Sequence, residues 1–64
     1  MTKQEIANEL KELAEKMKSI GIAMDYYGGF NTEWPERGAE LLGAGYQVDQ
    51  WVEEIEEEIL NDRA

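Results

Sequence analysis

The chain has 64 residues, no cysteine, no histidine, and 15 acidic against six basic side chains, for a formal net charge of −9. A chain of this length forms one small domain, residues 1–64, and needs very regular packing or a partner chain to be comfortable. The missing residue types exclude a disulfide framework, thiolate or imidazole metal sites and the commonest general base near neutral pH, while the acidity excludes nucleic acid and anionic membranes as direct partners.

The first element opens on Thr2-Lys3-Gln4-Glu5, a capping box in which Thr2 accepts from the Glu5 amide and Glu5 reaches back to the Thr2 amide. Ile6, Leu10, Leu13, Met17, Ile20 and Met24 then alternate steps of four and three, a heptad pattern flanked by Ala7 and Ala14. The spacing predicts a helix over about 2–25. No apolar run approaches the ~20 residues that span a bilayer, and the start is amphipathic rather than a signal-peptide core. A cytoplasmic setting is the expectation.

DYYGGFNT, residues 25–32, breaks the pattern at Gly28-Gly29. Asn31 or Thr32 caps the next helix, with Pro35 in its first turn and Glu33 and Glu36 suited to its positive end. Trp34, Gly38, Leu41, Gly45, Val48, Val52, Ile55 and Ile59 continue the four–three alternation through Gly43-Ala44-Gly45. That unbroken register predicts one helix over about 33–61. The alternative is a three-helix bundle with a break at Gly43–Gly45, because two interior glycines cost about 2 kcal/mol.

The expected fold is therefore all-α, an antiparallel hairpin of two long helices. Closing it about the glycine tip sets Gly21 near Gly38, Met17 against Leu41, Leu13 against Gly45, Leu10 against Val48 and Ile6 against Val52. Lys3 comes within reach of Glu56 or its acidic neighbours. Trp51, Leu42, Leu60 and Ile22 lie off this seam and extend the apolar surface, which points to two hairpins forming a four-helix homodimer. Trp51 and Tyr46 are expected in the core.

Enzymatic chemistry has few parts to work with. The glycines lack the spacing of phosphate-binding loops, and Ser19 has no histidine to activate it. Neither the EF-hand pattern nor Glu-x-x-His occurs, so no metal and no cofactor is expected. Tyr26, Tyr27, Phe30 and Trp34 cluster at the tip. They either close the end of the core or form an aromatic anchor for a partner.

The acidity is segregated. Glu5, Glu9, Glu12 and Glu15 are matched one for one by Lys3, Lys11, Lys16 and Lys18, so residues 1–24 are neutral and the whole net charge of −9 lies in 25–64. Solubility alone does not require such segregation. Glu33, Glu36, Glu40, Asp49, Glu53, Glu54, Glu56, Glu57 and Glu58 follow helical intervals and are the candidate partner-binding face. A ridge of carboxylates at ~5–6 Å steps can occupy a groove built for the phosphates of nucleic acid.

WVEEIEEEIL and TEWPERGAELLGAG, in a short acidic helical chain, resemble the small inhibitors that phages direct against host defence, of the anti-CRISPR and anti-restriction DNA-mimic type. The resemblance is one of size, charge and helical character over the whole chain and carries no functional residue across. It implies a host-cytoplasmic protein, with no enzymatic activity, that blocks the basic surface of a protein or nucleoprotein complex. Two other functions fit the same residues: a self-assembling helical module whose acidity serves solubility, and a small-ligand sponge formed between subunits.

Overall fold

The computed structural model describes residues 1–28 and 33–63, with Arg63 described by its backbone alone. Within them lie two helices, α1 (Lys3–Tyr27) and α2 (Glu33–Arg63), packed antiparallel as a hairpin. The result is a rod of 53 × 15 × 13 Å. The caps expected at Asn31 or Thr32, the Gly29 half of the turn and Phe30 fall outside the described residues.

α1 begins as its sequence dictates. The Glu5 amide donates to Thr2 Oγ1 at 3.1 Å, and the Thr2 amide donates to Glu5 Oε1 at 3.2 Å. Two backbone donors that the first turn leaves without partners are thereby satisfied. α2 runs without interruption through Gly43-Ala44-Gly45, so the three-helix alternative is not the one taken.

What joins the helices differs from the expected seam. The buried positions of α1 are Ala7, Ala14 and Gly21, one every seven residues, and Gly28 just past its end continues the interval. Opposite them α2 buries Gly38, Gly45 and Val52 at the same interval, together with Val48. Small residues therefore form the contact, and the expected seam of large ones turns to one side. Leu10, Met17 and Met24 are half-buried, while Ile6, Leu13 and Ile20 are 39%, 48% and 53% exposed. Among the described residues no large side chain is fully buried. Trp51 and Tyr46, expected in the core, are exposed as well.

The physical reason is the distance between the backbones. A Cβ built on Gly21 would lie 2.6 Å from the Gly38 carbonyl oxygen, and one built on Gly38 would lie 2.5 Å from that of Gly21. The expected pairing of these two glycines is met, and at that separation no larger residue fits between the helices. Gly45 lies over Ala14 and Lys18 instead of the expected Leu13: a Cβ there would meet the Ala14 oxygen at 3.2 Å. Gly45 thus offsets its poor helix propensity through close packing. Gly43 has nothing within 4 Å of its Cβ direction and is exposed.

The two glycines should respond in opposite ways to the same added methyl group. Gly43→Ala is expected to stabilise the fold by about 0.5–1 kcal/mol through helix propensity alone. Gly38→Ala forces the backbones apart and is expected to destabilise by about 1–3 kcal/mol, outweighing the same propensity gain. Urea denaturation followed by circular dichroism at one protein concentration measures both.

Candidate functional site

The seam divides the rod into two long faces. Four residues after each small position of α1 come Lys11, Lys18 and Asp25; the equivalent places on α2 are Leu42, Asp49 and Glu56. These meet on one side. Lys11 Nζ lies 2.6 Å from Glu56 Oε1, and Lys18 Nζ lies 2.7 Å from Asp49 Oδ2. Lys18 also reaches Glu15 at 3.2 Å and stands 5.0 Å over the Tyr46 ring. One residue before each small position lies on the other side: Ile6, Leu13, Ile20 and Tyr27 from α1, and from α2 Arg37, Ala44 and Trp51, with Glu58 one heptad beyond Trp51.

The nine candidate acids consequently separate into groups. Asp49 and Glu56 turn inward to the lysines of α1. Glu56 Oε1 is shut off from solvent, and its approach to Lys11 has poor hydrogen-bond angles. Glu58 accepts from Lys3 Nζ at 2.8 Å, and Asp62, which the sequence reading passed over, accepts from the same nitrogen at 2.9 Å. Lys3 was expected near Glu56 or its neighbours and takes these neighbours. Glu33 lies 3.6 Å from Arg37.

The remaining five, Glu36, Glu40, Glu53, Glu54 and Glu57, are exposed and make no ion pair among the described residues. They do not form the continuous ridge expected of them. Glu36 and Glu40 sit toward the tip and Glu53, Glu54 and Glu57 toward the open end. Gly43, Gln47 and Gln50 occupy the outer surface between. The gap from Glu40 to Glu53 is roughly 20 Å at ~1.5 Å rise per residue.

At the tip, Tyr26 and Tyr27 are exposed and meet edge to face at 5.0 Å between ring centroids. Trp34 is half-exposed at 47%. The described aromatics therefore do not close the end of a core. Beside them a shallow cleft of about 210 Å³ is lined by Gly21, Ile22, Asp25, Pro35, Gly38 and Leu42. That is below the ~300 Å³ from which small-molecule sites begin. Among the described residues no three acidic side chains gather closely enough to hold a metal ion, and no helix is long and apolar enough to cross a membrane.

The cross-helix lysines carry the electrostatic signature. Hydrogen bonds to Glu58 and Asp62 hold the Lys3 ammonium well above the ordinary lysine range, and the hydrogen bond to Asp49 raises Lys18. A raised cationic pKa stabilises the fold fully below the unfolded value of about 10.4, and that contribution fades as pH climbs through the folded value. Lys18→Met should therefore lower the melting temperature by a constant amount between pH 7 and about 10. The gap to the unsubstituted protein should close at higher pH, as thermal melts across that range will record.

No family model, curated protein or solved structure matches this chain.

Proposed function

We propose that the chain is a non-enzymatic binding protein that engages a basic surface, of the kind that ordinarily holds nucleic acid, through the outer side of α2. One observation carries this reading. Carboxylates of α2 are already paired with Lys3, Lys11 and Lys18 of α1, and Glu36, Glu40, Glu53, Glu54 and Glu57 are exposed and make no ion pair among the described residues. Folding does not require them there. A basic partner supplies the compensation that the hairpin lacks.

The two clusters act as separate footholds roughly 20 Å apart on one rigid helix. Phosphates on a nucleic-acid strand present comparable charge along a comparable length, so a protein groove shaped for them accommodates the rod. Inhibition by occupancy follows: the acidic helix and nucleic acid compete for the same cations. The exposed Tyr26 and Tyr27 offer apolar area at the end of the rod. This is the mode of action expected from the resemblance to phage-encoded host-defence inhibitors, with the charge divided between two places.

The test is retention of lysate proteins on immobilised protein at low salt, followed by elution with rising salt and with duplex DNA. Basic nucleic-acid-binding proteins should elute in both gradients. Combined Glu→Gln replacement at positions 36, 40, 53, 54 and 57 should weaken retention of the purified partner at least tenfold, since exposed charges contribute ~0.2–1 kcal/mol each. Equal retention by the substituted protein, or indifference to salt between 0.05 and 0.5 M, where exposed charges become screened, would exclude this role.

A further inference from the structure

Among the described residues the buried apolar side chains are Ala7, Ala14, Val48 and Val52, all small or compact, and the hairpin exposes a broad apolar side. For 7.4 kDa a compact monomer presents about 4,200 Å² of accessible surface, whereas this chain presents 4997 Å². Its radius of gyration is 14.9 Å, against about 11 Å for a compact chain of this length. The excess is about 800 Å², the area each partner contributes to a standard protein–protein interface. Ile6, Leu13, Ile20, Trp34 and Trp51 are all 39–53% exposed on the side away from the Lys11 and Lys18 ion pairs. They border the half-buried Leu10, Met17, Leu41 and Ile55.

We infer that a second copy of this chain covers that side, in an antiparallel twofold arrangement that makes a four-helix bundle. The order of residues along the exposed side selects this occupant and this register. Gly45 over Ala14 and Gly38 over Gly21 set Leu13 level with Gln47 and Val48 to within roughly 3 Å. A twofold axis through that level, perpendicular to the rod, lays α1 on the partner's α1 and α2 on the partner's α2. Leu13 then faces its own copy, and Ile6 faces the partner's Ile20. On α2 the bulky Trp51 faces the partner's Ala44, and Arg37 faces the partner's Glu58.

Large meets small, and the basic residue of that column meets the acidic one. Both matches follow from a single axis. Within one hairpin Arg37 pairs with Glu33 and Glu58 with Lys3, and the two lie about 30 Å apart along α2, so the twofold brings two existing ion pairs together across the interface. A parallel twofold would stack α1 on the partner's α2 and set Arg37 and Glu58 at their own, distant levels. This inference rests on different residues from the acidic binding role: Glu53 and Glu57 lie on the far side of α2 from Trp51, and Glu54 borders the apolar side.

Sedimentation equilibrium at micromolar concentration should return twice the 7.4 kDa chain mass. Leu13→Glu, which sets two carboxylates on the axis, should raise the dissociation constant at least tenfold. Ile22→Glu, exposed on the other side, should leave it within twofold. Because the chain has no cysteine, Tyr26→Cys accepts a single spin label. In the antiparallel dimer the two labels lie about 40 Å apart, against less than about 25 Å for a parallel one. A monomeric helical chain, a dimer dissociated by Ile22→Glu but not by Leu13→Glu, or a short label distance would each overturn the inference. Unfolding of Leu13→Glu on dilution, with unfolding of the unsubstituted protein also dependent on concentration, supports it.

Discussion

Everything in this hairpin depends on how closely the two backbones approach at Gly21 and Gly38. Each glycine lies against the other's carbonyl, with Leu42 and Met24 Cβ atoms close beside, so no side chain fits at either position. Ala7, Ala14, Gly45 and Val52 extend that line toward the open end with residues that are small or compact. Dispersion between backbones replaces the interdigitation of large side chains that most helix pairs use. The cost is that each helix must put its bulky residues elsewhere.

Where they go gives the rod its two characters. On one side lysines of α1 reach across to carboxylates of α2, and the methylene stems of Lys11 and Lys18 cover the edge of the seam while their charged ends remain near water. On the other side leucine, isoleucine and tryptophan accumulate with few charges among them. The outward surface of α2 is a third region, acidic and uncompensated. Interior packing, pairing and display thus fall on different strips of the same helices, so a change to one strip need not disturb the others.

Much of this was legible beforehand. The capping box, the two helices and the Gly21–Gly38 contact follow from local patterns whose physics is short-ranged. The seam was misread because heptads of large residues ordinarily mark the buried line, and Ile6, Leu13 and Ile20 stand one residue before an equally regular heptad of Ala7, Ala14 and Gly21. Choosing between two such phases requires the separation of the helices, which no local pattern encodes. The cross-helix ion pairs had a signal that was passed over: Lys11 and Lys18 repeat at the interval of Asp49 and Glu56. That interval also explains why the acidic ridge is discontinuous, since some of its members were already committed to α1.

Lys3 binds Glu58 and Asp62 at once, one turn apart on α2, while its own helix starts at the Thr2–Glu5 cap. The beginning of one helix is thereby tied to the end of the other. Helix ends ordinarily fray separately, each at its own small free-energy cost. Here the loosening of either end releases the clamp on its neighbour, and the open end of the rod behaves as a single fastening. Opening of the two extremities is accordingly linked through these exposed ion pairs, although the ends are separated by nearly the whole length of the chain.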